Sequence, residues 1–514
     1  MAQAISISNK DVVAVVGTGA MGAGIAQVAA TAGHLVLLFD SRSSAAQKAV
    51  DSVAKQLRRL VDRSKMTQDQ AQSAINRLKA VANLSDLSPS ALVVEAIVEN
   101  LEAKQTLFKS LESIVGPNTL FATNTSAISV TAIGAVLDRP ERLGGLHFFN
   151  PAPLMALVEV VSGLATDQEV AEALFLTAKA WGKTPVYTKS TPGFIVNRVA
   201  RPFYAEGLRV LQEGGADVPT LDACCTEAGG FRMGPFTLMD LIGNDVNLTV
   251  TKTVWAAFYY DQRFLPSLVQ QELVAAGYYG KKTGRGYYDY REGVVAPKPK
   301  TELDRSNMVT GLSQTITVFG DSPAAEALAS RLHHSGLLVT RQGADDDRIA
   351  QIGKTVLYVS DGRTATRRAA ETHQPHLVCI DLALDYHKAT RIAVASALSC
   401  GHEEKTQAIA LLQKAGFAVS VFQDIPGLIV MRTVAMLANE AADAVYQGVC
   451  DESAVDSAMC LGVNYPRGPL SWARQLGLSQ VRSVLVNLGH AYGEDRYRIS
   501  PWIQQQVLAE ETQL

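Results

Sequence analysis

With 514 residues, 47% of them hydrophobic, the chain can hold two to four globular domains with real cores. Lys and Arg (47) nearly balance Asp and Glu (50), and the start Met-Ala-Gln-Ala-Ile-Ser carries neither a basic nor an apolar leader, so no nucleic-acid or membrane partner is expected and a cytoplasmic protein is. The six cysteines show neither C-x-x-C spacing nor histidines at ligand-like intervals, which predicts buried thiols and no metal site.

In chain order, the first signal is the apolar run Val12-Val-Ala-Val-Val16, a short strand, leading into Gly17-Thr-Gly19-Ala20-Met21-Gly22, a tight turn that opens a helix. A second apolar run, Leu35–Phe39, ends in Asp40. Strand, glycine turn, helix and an acid about twenty residues on form a dinucleotide-binding pattern. Gly17 makes the turn, Gly19 lets backbone approach a pyrophosphate, Gly22 lets the helix pack on the strand, and the helix N-terminus offers N–H groups to the phosphates. Asp40 would accept from ribose hydroxyls and repel a 2′-phosphate, which favours NAD over NADP, with Arg42 nearby as the opposing feature.

From Ser43 to Val81 the apolar positions recur at helical spacing, and one part is basic: Arg58, Arg59, Arg63 and Lys65. Such a cluster is a solvated helix face or, beside a nucleotide fold, a grip for a phosphorylated ligand. Apolar runs at 91–94, 119–122, 143–146 and 156–158 alternate with helical stretches and predict a mostly parallel, doubly wound sheet. Ligands then sit beyond the carboxyl ends of the strands, which draws attention to Glu95 to Glu99, to Asn124-Thr-Ser126 and to His147.

The most informative stretch is Gly145-Leu-His147-Phe-Phe-Asn150-Pro, followed by Glu159 inside Leu157-Val-Glu-Val-Val161. A carboxylate among branched aliphatics costs several kcal/mol to bury unless it is paired, and His147 is the available partner. Such a pair is a structural ion pair or a general base, in which Glu159 holds one ring nitrogen and leaves the other to exchange a proton.

Past Ser190-Thr-Pro-Gly193 the texture turns helical, from Phe194-Ile-Val-Asn197-Arg198 to about 295. Residues 192–198, Pro-Gly-Phe-Ile-Val-Asn-Arg, return at 426–432 as Pro-Gly-Leu-Ile-Val-Met-Arg, an offset of 234 that also carries Gly182 to Gly416 and Glu206 to Glu440. This is an internal duplication. Its nucleotide loop, Gly320-Asp-Ser322-Pro-Ala-Ala325, lacks the later glycines, and His147, Glu159 and Asn197 fall on Asp381, Ala393 and Met431. The second half is therefore expected to buttress the first, or to form a dimer surface, without binding NAD. The expected fold is α/β plus all-α: residues 1–190 a doubly wound Rossmann-type domain with a helical hairpin, 191–295 a helical domain, 296–424 a degenerate Rossmann-like domain and 425–514 a second helical domain.

The motifs Gly17-Thr-Gly-Ala-Met-Gly22, Ala122-Thr-Asn-Thr-Ser126, Gly145–Pro151, Pro192–Arg198, Met233-Gly-Pro-Phe236 and Gly280-Lys-Lys-Thr-Gly284 make residues 10–290 resemble the L-3-hydroxyacyl-CoA dehydrogenases. The long form is similar to enzymes of bacterial phenylacetate degradation that act on 3-hydroxyadipyl-CoA. The resemblance implies His147 as catalytic base, Glu159 as its partner, and Ser126 and Asn197 at the substrate's 3-oxygen. It further implies NAD contacts from Gly17, Gly19, Ala20, Met21, Gly22, Asp40, Glu99, Lys104, Asn124, Asn150 and Lys282. The acyl-CoA substrate would be held by the paired helices, with Arg63 on a phosphate and Gln56 where the family often has serine. The family's pairing implies a homodimer, unless the second copy occupies that surface within one chain. Arg232 is a candidate for reading a distal carboxylate, against the alternative of an ordinary surface arginine. Rival readings are a lysine-dependent short hydroxy-acid dehydrogenase, which needs neither His147 nor Glu159, and a non-catalytic NAD-binding protein. A third, a fragment of a multifunctional β-oxidation protein, would need a hydratase region that the duplicated unit leaves no room for.

Overall fold

The computed structural model describes residues 7–310, 315–344 and 346–512. The chain divides into two compact units: the first runs to Arg198 and includes Gln447–Val463, and the second comprises the rest.

In the first unit, β1 (Val13–Val16), β2 (Val36–Phe39), β3 (Leu78–Ala80), β4 (Leu92–Glu95), β5 (Leu120–Thr123), β6 (Leu143–Phe148), β7 (Leu157–Ser162) and β8 (Thr184–Lys189) form one sheet ordered β3-β2-β1-β4-β5-β6-β7-β8. All neighbours are parallel except β6 and β7. Along β1, Val13 and Val15 enter one core cluster while Ala14 and Val16 enter another, because helices cover both faces. That two-sided burial is why the run is apolar without alternation. Strand order reverses at β1 and β4, which opens the crevice where such sheets bind ligands.

The segment 43–81 holds two helices. The helices Ala45–Asp62 and Gln68–Asn76 are separated where Ser64 takes φ +54° and Thr67 caps the second with Gln70 in a reciprocal pair, and the edge strand β3 follows. The strand β8, Thr-Pro-Val-Tyr-Thr-Lys, lies outside the expected strands because it holds a proline and no unbroken apolar run, as suits its place at the sheet edge.

The second unit joins the helices of both copies to a second sheet. Helix Val430–Tyr446 is buried along nearly its whole length against Arg201–Gln212, Pro469–Leu476, Leu478–Tyr492 and Pro501–Glu511. Buried ion pairs tie the two copies together here, Arg432 to Glu206 at 3.0 Å and Arg263 to Glu440 at 3.1 Å. The second sheet comprises β9 (Ile316–Phe319), β10 (Thr340–Gln342), β11 (Arg348–Ile352), β12 (Thr355–Val359), β13 (Leu377–Ile380), β14 (Arg391–Ser396) and β15 (Ala418–Val421), in the order β10-β9-β11-β12-β13-β14-β15. Its β11 runs antiparallel to both neighbours, where the first sheet has the parallel β4 and a crossover helix. Register is kept elsewhere: β6 pairs Gly145 with Val161, and β13 pairs Cys379 with Ala395, each residue displaced by the same 234 positions.

Candidate active site

The glycine turn has the shape that a diphosphate needs. Gly17 sits at φ +91°, and a Cβ there would lie 2.6 Å from the Ala96 carbonyl oxygen. A Cβ on Gly19 would meet nothing within 4 Å, so that side of the turn is open. Gly22 is required for a reason other than the one expected: its nearest obstacle is the Gly17 carbonyl oxygen at 1.8 Å, and the Val15 side chain lies 3.4 Å away. Helix Ala20–Thr31 carries no side-chain cap, which leaves its first N–H groups for a ligand. Asp40, just past β2, accepts from the Thr18 N–H (2.9 Å) and hydroxyl (2.8 Å) and from the Arg42 guanidinium (3.0 and 3.1 Å). The guanidinium, aided by Thr18, holds the Asp40 carboxyl far below the usual carboxylate range.

Antiparallel pairing of β6 with β7 puts His147 directly opposite Glu159. His147 Nδ1 lies 2.6 Å from Glu159 Oε2, and Glu159 is fully buried. The other oxygen, Oε1, accepts from the main-chain N–H groups of Ile195 (2.9 Å) and Val196 (3.0 Å). Those N–H groups are aimed by Gly193 and Phe194, both left-handed at φ +77° and +49°. A bulky residue in that conformation costs about 1–2 kcal/mol, so the bend is held by its surroundings. Phe149 and Phe194 pack on the imidazole, with ring centroids 4.6 and 5.7 Å away. A carboxylate only accepts, so Nδ1 carries the proton and the neutral ring keeps its lone pair on Nε2.

Glu99 is the second organising group. It accepts from the Thr125 hydroxyl (2.6 Å), the Ser126 N–H (2.9 Å) and hydroxyl (3.3 Å), and the Ala127 N–H (3.1 Å). Burial pushes its carboxyl up, but these donors and Lys104 bring it below the ordinary value. Asn197 Nδ2 reaches the Ser126 carbonyl at 3.5 Å, and Asn124 Oδ1 receives the Phe148 N–H at 2.8 Å, tying β5 to the end of β6. Glu99, Asn124, Ser126 and His147 thus lie at the carboxyl ends of β4, β5 and β6, beside Glu159 in the amino-terminal half of the antiparallel β7 and Asn197 on the helix Val196–Val199.

Known proteins bear on this arrangement. The model for the NAD-binding domain of 3-hydroxyacyl-CoA dehydrogenase matches residues 12–191, and the model for the C-terminal domain of that enzyme matches twice, at 193–290 and 427–513. The chain belongs to the 3-hydroxyacyl-CoA dehydrogenase family. A reduced Rossmann-fold model of 3-hydroxybutyryl-CoA dehydrogenase matches 357–426. The chain is 44% identical over 502 residues to a protein named 3-hydroxyadipyl-CoA dehydrogenase from Escherichia coli, covering 98% of each. It is 40% identical to a probable 3-hydroxybutyryl-CoA dehydrogenase from Bacillus subtilis, over 54% of this chain and 96% of that one. A crystal structure of 3-hydroxybutyryl-CoA dehydrogenase from Escherichia coli superposes with a TM-score of 0.87 at 43% identity, covering 99% of this chain and all of that one.

Within this dehydrogenase the remaining expected contacts are unequal. Lys104 is 1% exposed, with its ammonium 2.7 Å from Glu95 and 3.3 Å from Glu99, so its direct partners are these acids. Glu95, the last residue of β4, is wholly buried and also accepts from Thr123 at 2.6 Å. In the sequence Glu95 stands out only as a residue after a strand, although an acid closing an apolar run is the signal that marks Asp40. Asn150 is exposed and precedes a cis proline, Pro151. Lys282 belongs to the second unit, where its ammonium lies 2.6 Å from Asp245. Arg232 is also in that unit and is exposed. Gln56, Arg59 and Arg63 line one cavity of about 780 Å³ together with Met66, Trp181 and Lys183. Lys183 donates to the main-chain carbonyls of Ala152 (2.6 Å) and Met155 (2.9 Å), tying down the loop after Pro151, and burial lowers its pKa. Of the six cysteines, only Cys224, Cys225 and Cys379 are buried, and the other three are half-buried.

The second copy shows how a site of this family is lost. Its helix Pro323–His334 starts with a proline that has no N–H, and Ser322 caps the Ala325 N–H, so the anion cradle is filled. Asp381, at the position matching His147, takes over the task of Glu159 instead. Its carboxylate accepts from Ile429 (3.0 Å), Val430 (2.8 Å), Met431 (2.9 Å) and Leu382 (2.8 Å). Burial nevertheless pushes it up to about 6.

Proposed function

We propose that the chain oxidises an L-3-hydroxyacyl-CoA to the 3-oxoacyl-CoA with His147 as general base, and that 3-hydroxyadipyl-CoA or 3-hydroxybutyryl-CoA is its substrate. One observation carries the reading: an imidazole held at Nδ1 by a buried carboxylate that is itself locked by two main-chain N–H groups. His147 Nε2 takes the proton from the 3-hydroxyl, and Glu159 stabilises the imidazolium that results. When bound, NAD supplies the acceptor for the C3 hydride. The open Gly19 turn, the uncapped helix and Asp40 fit its diphosphate and ribose, with Ala20, Met21, Gly22, Glu99, Asn124 and Asn150 as its further neighbours. Ser126 and Asn197 donate to the 3-oxygen as charge develops, worth about 3 kcal/mol at most for each donor. In the reverse direction the imidazolium returns the proton.

We assign CoA phosphate to Arg63, on the strength of the cavity it shares with Gln56 and Arg59. The 3-hydroxyadipyl name of one similar protein favours a dicarboxylic acyl chain and a place in cytoplasmic phenylacetate breakdown, and the 3-hydroxybutyryl name of another keeps the short chain as the second reading. We keep the four-part division at 190, 295 and 424, and a homodimer as the assembly, with sedimentation mass as its check. The test of function is NADH consumption with acetoacetyl-CoA beside 3-oxoadipyl-CoA. Turnover of both, faster with the dicarboxylic substrate, is the expected result, and no turnover of any 3-oxoacyl-CoA would leave a non-catalytic NAD-binding protein.

A further inference from the structure

The segment Gln447–Val463 belongs to the inert second copy in sequence and to the first compact unit in space. Helix Glu452–Gly462 packs on β7 and β8, and the Lys189 N–H donates to the Val449 carbonyl at 2.9 Å. In the other unit the same contact recurs with the copies exchanged: the Gln423 N–H donates to the Gly215 carbonyl at 3.0 Å. Lys189 and Gln423, like Gly215 and Val449, are 234 positions apart. Position i of one copy meets position j of the other, and j meets i, which is the rule of an isologous interface. The inert copy therefore stands against the active sheet as a partner subunit would.

At the matching positions 228 and 462 the two halves of this exchange carry different residues. Gly462 faces the active sheet, and a Cβ there would fall 2.7 Å from Leu157 Cδ2 and 3.1 Å from Val196 Cγ2. The matching residue in the first copy is Ala228, in a segment against β14 where its carbonyl accepts the Leu384 N–H at 2.9 Å. Close approach that admits no side chain is found at Gly462 against the half that carries His147, and also at Gly230 against the other half, where a Cβ would fall 2.6 Å from Leu384 Cδ2. Val196 is one of the two residues whose N–H groups hold Glu159, and Leu157 precedes Glu159 by two positions on β7. Cys450, at the head of the same segment, is close enough to feel Glu159 and Arg198, and burial pushes its thiol up to about 12.

We propose that Gly462 of the degenerate copy is a positioning residue for the reaction: by letting helix Glu452–Gly462 press on Leu157 and Val196, it keeps the Ile195 and Val196 N–H groups trained on Glu159 and so keeps Glu159 on His147. The inference rests on the dyad assigned above. An added methyl at 462 pushes Val196 outward, the carboxylate tethered to it follows, and the imidazolium loses its partner.

The full-length chain is used, with Gly462→Ala, with Ala228→Val as the matching perturbation at the inactive half, and with Gly462→Ala/Leu157→Val to return the space. Gly462→Ala is expected to lower kcat about tenfold to a hundredfold, as a misplacement near 1 Å does. The acid limb of the kcat pH profile moves to lower pH, and KM for NAD stays within twofold. The double variant recovers kcat and the limb, and Ala228→Val moves neither. A Gly462→Ala enzyme that melts earlier but keeps wild-type kcat and pH limb overturns the proposal, as does a double variant that folds without recovery. If Gly462→Ala does not fold, the double variant alone decides: wild-type kcat and limb support the contact, and a shifted limb with space restored refutes it. Loss of the underlying reading would look different, with wild type and His147→Gln equally inert toward every 3-oxoacyl-CoA.

Discussion

Glu159→Gln isolates the charge of the dyad from its shape. Glu159 is fully buried and meets three donors: Ile195 N–H at 2.9 Å and Val196 N–H at 3.0 Å on one oxygen, His147 Nδ1 at 2.6 Å on the other. A glutamine amide has one acceptor atom. Turning its NH₂ toward Ile195 and Val196 would leave buried donors facing donors, at about 1–3 kcal/mol for each unsatisfied group. The amide therefore keeps its oxygen on the backbone and presents NH₂ to His147. The imidazole must then accept at Nδ1 and carry its proton on Nε2, the nitrogen that should take the substrate proton. A wrong tautomer of this kind lowers kcat by about 10⁴ in the Ser-His-Asp enzymes, which sets the scale here at roughly 10³ to 10⁴, or about 4–5.5 kcal/mol. Binding contacts are untouched, so KM for NAD should hold while kcat and kcat/KM fall together. The assay is steady-state NADH formation from a 3-hydroxyacyl-CoA, with circular dichroism to verify folding. A folded Glu159→Gln enzyme within tenfold of wild-type kcat would refute the tautomer argument and with it the role of His147.

Asp40→Ala removes the acceptor for the ribose hydroxyls, and a charged hydrogen-bonding group lost costs about 1.5–3 kcal/mol, so KM for NAD should rise roughly ten- to a hundredfold while NADP gains relative to it. An unchanged NAD/NADP ratio in initial-rate assays would remove Asp40 from the ribose. Calorimetric titration should find one NAD per chain, because Pro323 and Ser322 leave no free N–H cradle in the second copy, and a stoichiometry of two would contradict that. Asp381 supplies a pH signature of the second unit. Its carboxyl is raised to about 6 by burial, so the folded state binds the proton more tightly than the unfolded chain does. Its contribution is fully present below the unfolded pKa near 4 and is lost as pH rises through about 6, at most roughly 3 kcal/mol. Denaturant melts should show the stability of wild type relative to Asp381→Asn falling between pH 4 and 6, and a flat or rising difference would show that the four N–H donors outweigh burial.

What could be read from the chain was local or self-contained. β1, the glycine turn and Asp40 follow from neighbours in sequence, since the turn needs φ +91° at Gly17 and the strand needs apolar residues on both faces. The pairing of His147 with Glu159 was readable because a buried acid demands a donor and the donor is twelve residues away. Lys104 was assigned by likeness to a cofactor contact, whereas its side chain is closed off between Glu95 and Glu99, a fact decided by how a helix packs on β4. The antiparallel β11 escaped notice because nothing in Arg348–Ile352 reveals its direction, which is set by its partners.

Asp381 shows why an alignment of the two copies is an incomplete guide to their chemistry. Position by position, an aspartate stands where the first copy has His147 and an alanine where it has Glu159, which reads as two independent losses. The structure makes them one exchange. A helix start bent by Gly427 and Leu428 at φ +76° and +50° still points its N–H groups inward, and those donors must be met by an acceptor whether or not any reaction takes place. Once the acid stands just past β13 instead of on β14, Ala393 fills the vacated position on β14 and no base is left to orient. The buried acceptor was kept for folding, so in the first half Glu159 should be needed for the fold as well as for the chemistry. Removal of its side chain should destabilise by about 1–3 kcal/mol for each donor stranded, beyond the effect of Glu159→Gln, which keeps an acceptor in place. Thermal melts of Glu159→Ala and Glu159→Gln separate the two duties: a melting temperature lower only in the alanine variant, with kcat lost in both, is the expected pair of results.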